Sequence, residues 1–269
     1  VCQGESDLVY SVAEITDATN YAWTLPTGAT GTSNTNSITV SYGTTALSGD
    51  ITVKGVNGCG EGPVSSLSVT VNPLPGAAGA ISGTASVCAG DAGVAYSVVA
   101  ISDATGYNWN YSGTGATITN ETTNNITISF EADATSGDLT VYGTNGCGNG
   151  VESAPYAITV NPLPEPTITG PSTVCSGSTG NIYTTESGMT DYVWGIPAGG
   201  IITGVSGSNT ITVTWNTPGS QSVSVSYTNG NGCTASSPAE YDVTVNDLPT
   251  ITISSAATCA PDLQTYSLE

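Results

Sequence analysis

The 269-residue chain is almost without positive charge: Lys54 is its one base, set against 21 acids, and there is no histidine. One cation cannot neutralise a phosphate backbone, so nucleic acid is excluded as a partner, and anionic membrane surfaces are excluded on the same ground. No apolar run approaches the ~18 residues that a membrane-spanning helix takes, so no membrane insertion is expected. Serine and cysteine hydrolases draw their base from histidine or lysine, and Lys54 lies on an alternating segment whose parity turns it outward. Zinc binding has neither histidine nor a Cys-x-x-Cys pair to work with. Glycosidase chemistry needs two carboxylates facing each other across a cleft, and no acid pair recurs across all three repeated units of the chain. The acids stand singly, as at Glu14, Asp50, Glu131 and Asp191, which suits solubility. The composition is that of a protein that is not an enzyme.

What the chain has is a repeat. Val1-Cys2, Val87-Cys88, Val174-Cys175 and Thr258-Cys259 recur, each of the first three followed by a tyrosine (Tyr10, Tyr96, Tyr183) and then Tyr-x-Trp (21–23, 107–109, 192–194). Alternating segments come next: 36–42, 125–130 and 210–215, then 49–53, 137–141 and 222–226. An Asn-Gly-Cys turn ends each second segment, at Cys59, Cys147 and Cys233, and each unit closes on Leu-Pro at 74–75, 163–164 and 248–249. Only 8% of residues are charged, and Thr, Ser, Asn and Gly take the surface places.

Short period-two segments with turn signals about every ten residues predict an all-β fold, tandem immunoglobulin-like sandwiches arranged as a rod. The expected boundaries are repeat one at 1–75, repeat two at 76–164, repeat three at 165–249, and at 250–269 the opening of a truncated fourth. Repeat one lacks the opening strand that 77–87 and 165–174 supply to the others, consistent with a window cut from a longer array. Trp23, Trp109 and Trp194 are expected in the core, where burying one indole removes about 200 Å² from water, roughly 5 kcal/mol gross. Tyr42, Phe130 and Trp215 share one inward parity, whereas Tyr111 is the main aromatic expected outside. Proline ends each closing strand in a stiff, extended linker.

Cysteines in two places per repeat imply an oxidising, extracellular compartment, with Cys259 left unpaired. One pairing runs within repeats, as Cys2–Cys59, Cys88–Cys147 and Cys175–Cys233. The opening Cys and the turn Cys of one repeat should, however, lie about 25–30 Å apart along the strands, and a disulfide needs Cα atoms within about 7 Å. The alternative joins neighbours, as Cys2–Cys147 and Cys88–Cys233. No cofactor is required. Calcium has weak candidates in Asp17 and Asp103, and in Asp50 and Asp138 at turns after Ser-Gly, with Asp191 nearby; no Asp-x-Asp-x-Asp cluster supports them, and repeat three has Ser220-Gln221 in place of Gly-Asp.

Cys-x-Gly, Tyr-x-Trp, Asn-Gly-Cys and Val-Asn-Pro-Leu-Pro together resemble the PKD-like and immunoglobulin-like repeats of giant cell-surface adhesins of Bacteroidota. That resemblance implies export by the type IX secretion route and a part in gliding motility, with the repeats as stalk and the adhesive region elsewhere. Cys233-Thr234 and Cys259-Ala260 depart from the motifs locally. The expected role is a structural stalk or filament segment at the cell surface whose partners are neighbouring repeats of the same chain. The alternatives are a glycan-binding module that takes surface polysaccharide, and a subunit of a self-assembling fibre of like chains joined by strand donation through 250–269 or open sheet edges.

Overall fold

The computed structural model describes residues 1–255 and 266–268, and every regular element among them is a strand. The chain divides into two compact units, 1–160 with the first two repeats and 161–269 with the third, and each is described by itself. Cys259 lies outside the described residues.

Repeat one contributes β1 (Leu8–Ser11), β2 (Asn20–Thr24), β3 (Ala29–Thr30), β4 (Ser37–Tyr42), β5 (Gly49–Asn57), β6 (Gly60–Glu61) and β7 (Ser65–Val69). One sheet runs β1-β4-β3; in the other, β2, β6 and β7 all pair with β5. Repeat two adds β8 (Ser82–Gly83), β9 (Ser86–Cys88), β10 (Val94–Ser97), β11 (Gly106–Tyr111), β12 (Ala116–Thr119), β13 (Asn125–Phe130), β14 (Gly137–Asn145), β15 (Gly148–Asn149) and β16 (Tyr156–Asn161). Its sheets are β12-β13-β10-β8 and β11-β14-β16-β9, with β15 on the end of β14. Repeat three has β17 (Thr173–Cys175), β18 (Asn181–Thr184), β19 (Thr190–Gly195), β20 (Gly200–Ile202), β21 (Thr210–Trp215), β22 (Gly219–Thr228) and β23 (Ala239–Asn246). Its sheets are β17-β23-β22-β19 and β18-β21-β20. Beyond it β24 (Ile253–Ser255) pairs with β25 (Tyr266–Leu268).

Each repeat is a two-sheet sandwich whose inward residues alternate with Thr and Ser on the outward face. In β13, Ile126, Ile128 and Phe130 are buried while Thr127 and Ser129 between them are partly exposed. Tyr42, Phe130 and Trp215 all sit at the core position expected of them. The indole N–H of each Tyr-x-Trp tryptophan donates to one loop carbonyl: Trp23 to Thr35 at 2.9 Å, Trp109 to Thr123 at 2.8 Å and Trp194 to Ser208 at 2.8 Å. Trp109 and Trp194 are buried, but Trp23 is only half buried. Ile81 shares the core cluster of Trp109 and Ile168 that of Trp194, and among the described residues none takes that place beside Trp23.

Repeat three departs at one packing point. Tyr227 occupies the register position of Gly55 and Gly143. A Cβ on Gly143 would come within 2.8 Å of Ala104, and one on Gly55 within 3.0 Å of Ile15. In repeat three the Tyr227 ring fills this place, 5.8 Å from the ring of Tyr192, with its hydroxyl 3.0 Å from Glu186.

Candidate functional site

The described residues of unit 1 hold one feature that a lone sandwich would lack, a junction between its two repeats. The opening segment of repeat one runs parallel to the closing strand, with Cys2 bridged to Asn72. In repeat three the same arrangement pairs Cys175 with Asn246. The opening Cys therefore lies where its repeat ends and the linker begins. The turn Cys lies at the far end: Val69 pairs with Gly49 at one end of β5, and Asn57 is eight residues further along, roughly 26 Å at strand rise. The near end of repeat one is where the Asn145–Cys147 turn of repeat two arrives.

Cys2 and Cys147 are joined by a disulfide with Cα atoms 5.4 Å apart. Pairing within repeats is thereby corrected. Cys2 does not bond Cys59, and Cys175 does not bond Cys233, because Cys59 and Cys175 are exposed free thiols. The physical reason is the parallel docking of the opening segment, which sends the two cysteines of one sandwich to opposite ends.

The linker is fixed on both sides of this bond. Toward repeat one, the Gln3 N–H donates to the Asn72 carbonyl at 3.0 Å, and the Gln3 side-chain oxygen accepts from Leu74 N–H at 3.4 Å. Toward repeat two, the Asn145 amide donates at 2.9 Å to both the Pro73 and the Asp103 carbonyls, and its oxygen accepts from Cys147 N–H at 2.8 Å. Pro75 is buried, and a Cβ on Gly143 would stand 3.2 Å from its ring. Further on, Gly76 N–H donates to Ser102 and Ala78 N–H to Val151, both at 3.0 Å. Asparagine suits this position because one amide carries two donors and an acceptor. In unit 2, Asn229 repeats the contact, donating to the Pro162 carbonyl at 3.3 Å and accepting from Cys233 N–H at 3.1 Å. Residue-type recurrence marked these asparagines as turn formers; that each also grips the preceding linker needed the coordinates.

The aspartates do not converge. Asp17, Asp103 and Asp191 hold φ of 63°, 59° and 51°, the left-handed conformation that Asp tolerates in tight turns. Asp50 and Asp138 belong to β5 and β14 rather than to turns, and Asp50 accepts from the hydroxyls of Ser66 and Ser68 across the sheet. Those hydrogen bonds lower the Asp50 pKa, Ser68 giving the largest effect. Asp17 sits against Asn57 while Asp50 lies seven residues away along β5, roughly 23 Å. Among the described residues no three potential metal-ligating side chains gather.

Tyr111 is not the exposed platform expected of it. Its ring packs edge-on to Phe130 with centroids 5.9 Å apart, and its hydroxyl donates to the Thr135 carbonyl at 2.7 Å. Burial raises its pKa, with Asp138 adding to the effect. Lys54 is paired with Glu61. A second polar cluster, not foreseen from the sequence, surrounds Glu186. Its carboxylate accepts from Thr167 N–H at 3.1 Å, from the Thr167 and Thr185 hydroxyls, and from Tyr227. Burial pushes its pKa up, but these bonds outweigh that and hold it at about 2. Burial, followed by the bond to Glu186, raises Tyr227 to about 12. Glu186 thus ties the incoming segment at Thr167 to the body of repeat three.

Residues 1–69, 74–158 and 161–243 each match the sequence profile of the PKD-like domain. No curated protein matches the chain. Among solved structures, it is similar to the Escherichia coli adhesin FdeC at 17% identity and TM-score 0.31, over 86% of each chain. It is also similar to the N-terminal eight immunoglobulin domains of the Down syndrome cell adhesion molecule at 13% identity and TM-score 0.37, over 94% of this chain and 35% of that one. Fibronectin(III)-like modules of Clostridium thermocellum CbhA align at 11% identity and TM-score 0.30, over 62% of this chain and 95% of theirs.

Proposed function

We propose, since the chain belongs to the PKD-like domain family, that it serves as a structural stalk segment of an extracellular adhesin, holding an adhesive region away from the surface that carries it. The observation behind this reading is the Cys2–Cys147 bond, which joins successive repeats instead of closing one. A module that only had to fold would gain its loop-closure stability from a bond inside itself. A bond across the junction, beside a linker gripped by Asn145 and Gln3, restricts how one repeat swings on the next. The disulfide suits an oxidising, extracellular setting, and with that setting the reading extends to surface attachment, to gliding and to type IX export. PKD-like domains are typically non-catalytic, and we read this chain as no enzyme. We place the repeats at 1–75, 76–164 and 165–249, with the start of a fourth from 250. By sequence equivalence with Cys2 and Cys147, the next bond of the series is Cys88–Cys233.

Small-angle scattering tests the stalk. A compact protein of this length has a radius of gyration of about 18 Å, whereas three sandwiches of about 35–40 Å end to end give roughly 30 Å. A value near the compact figure would refute the stalk. Disulfide mapping of unreduced protein, with a protease that does not need Lys or Arg, is expected to recover both inter-repeat bonds. Saturable binding on a glycan array would favour the accessory-module reading instead.

A further inference from the structure

Asparagine followed by glycine is a dipeptide open to self-modification, because glycine has no Cβ to shield its backbone nitrogen. Such pairs begin at Asn57, Asn145, Asn149, Asn229 and Asn231. Deamidation uses that nitrogen as nucleophile and needs the asparagine side chain free to fold over it. At Asn149 and Asn231 the nitrogen is engaged within the backbone: Gly150 N–H donates to the Gly143 carbonyl at 2.8 Å and Gly232 N–H to that of Asn229 at 3.0 Å. Asn145 is different. Gly146 lies in the turn between β14 and β15, and among the described residues its N–H meets no acceptor. The restraint there is the Asn145 side chain itself, half buried and held by hydrogen bonds at both ends of its amide.

One of those bonds stays inside the turn, from Cys147 N–H to the side-chain oxygen at 2.8 Å. The other two, both 2.9 Å, tie the amide nitrogen to the Pro73 carbonyl in the linker and to the Asp103 carbonyl in the loop before β11. That nitrogen is the group that must leave. Ring closure therefore requires both bonds to break, and the Pro73 bond breaks when repeat two swings off the linker. Two hydrogen bonds of ordinary strength lower the population of such an opened state by roughly tenfold or more. The change cannot be undone by closing again. A carboxylate accepts hydrogen bonds but donates none, so the Pro73 and Asp103 carbonyls would lose their donor and face a negative charge. Unit 2 carries a second copy, in which Asn229, followed by Gly230, holds the Pro162 carbonyl at 3.3 Å.

We propose that Asn145 is a self-modifying site controlled by the junction: it stays an amide while it grips the linker, and cyclises with Gly146 when the junction opens. In that step the Gly146 backbone nitrogen, its proton lost to hydroxide, forms a bond to Asn145 Cγ. The Cγ–Nδ2 bond breaks, and Nδ2 departs as ammonia with a proton taken from water. Water then opens the resulting succinimide at one of its two carbonyls, leaving aspartate or isoaspartate. Opening of the junction is thus converted into a permanent loss of the linker grip. The site is independent of the stalk reading, since any junction built on this turn would carry it.

The test incubates the intact oxidised chain at mildly alkaline pH and follows residue 145 by peptide mass mapping with a protease that needs neither Lys nor Arg. The reference is a synthetic peptide copying residues 141–148 with Cys147→Ser. The intact chain should convert at least about tenfold more slowly than the peptide. Two variants loosen the junction by different routes, the pair Cys2→Ser and Cys147→Ser, and Gln3→Ala, which frees Leu74 N–H. Both should convert faster than the intact chain while hydrogen exchange at Ile126 and Ile128 stays unchanged, which separates junction opening from unfolding of repeat two. Asn145→Asp, made as the product, should speed exchange at Leu74 and Gly76. Equal rates in the intact chain and the peptide, no acceleration in either variant, or unchanged exchange at Leu74 and Gly76 would each overturn the proposal.

Discussion

Removing the inter-repeat bond should cost more than any single hydrogen bond near it. The perturbation is the pair Cys2→Ser and Cys147→Ser, made together so that no orphan thiol can pair with Cys59. The bond closes a span of 145 residues, and loop-entropy accounting puts its ceiling near 5 kcal/mol at 25 °C when the whole span unfolds together. Losses to residual structure bring the expected effect to about 3–5 kcal/mol. For a unit of this size each 1 kcal/mol moves the midpoint by about 2–4 °C, so Tm should fall by roughly 6–20 °C. Differential scanning calorimetry measures this, with Cys59→Ser as control: an exposed thiol without a partner should change Tm by no more than about 2 °C. The transition should also broaden, because repeats one and two would then be held only by the linker contacts of Gln3, Asn145 and Pro75. A fall below about 3 °C without broadening would refute the reasoning, since the repeats would be unfolding independently of the bond.

Three further outcomes follow from particular contacts. Gly170→Ala should cost about 2–4 kcal/mol by urea unfolding, because the added carbon must displace either the Tyr183 ring or the segment that Ile168 anchors. Glu186 has a depressed pKa in the folded state, so its contribution is full above the usual 4.5 and is lost as pH falls toward 2; solvent screening at this half-exposed site limits it to about 1 kcal/mol, and Glu186→Gln should flatten the acid limb of a Tm-against-pH curve between those values. Native protein should resist trypsin, as Lys54 lies within β5 and is paired with Glu61; after heating, one cut should release residues 1–54 on a reducing gel but leave them attached on a non-reducing one, held by Cys2.

The sandwiches were legible in the sequence because period-two alternation and turn residues are local signals that burial then enforces. Ile126, Ile128 and Phe130 announce their face without reference to the rest of the chain. Disulfide partnership was legible only as two alternatives. Strand length already set Cys2 and Cys59 at opposite ends of a repeat, and the parallel docking of the opening segment against Asn72 decides for the pairing between neighbours, Cys2–Cys147. The burial of Trp23 was overestimated for a related reason: parity gives the face, but completeness of cover depends on a separate segment, which Ile81 supplies to Trp109 and Ile168 to Trp194. Tyr111 reads as outward by alternation, yet a hydroxyl able to reach the Thr135 carbonyl folds its ring over Phe130. The Glu186 cluster left no trace in the repeat comparison because repeats one and two have Ala13 and Val99 at that place.

The position of the bond also decides how unit 1 would carry tension. A pull on Val1 meets Cys2 at once, and the covalent path continues through sulfur to Cys147 rather than along the backbone between them. Residues 3–146 are then outside the load path, so the two sandwiches could open under force without paying out chain. At about 3.5 Å per extended residue, the 145-residue span withholds roughly 500 Å of contour length. A bond inside each repeat would shield less, leaving every linker and opening segment in series with the load. Hydrogen bonds such as Asn145 to Pro73 then need only set the angle between repeats, a task suited to interactions worth about 1 kcal/mol each. On the proposed stalk reading, covalent continuity would bear the force and the weak polar contacts would fix geometry, a division of labour open to a chain with a single cation.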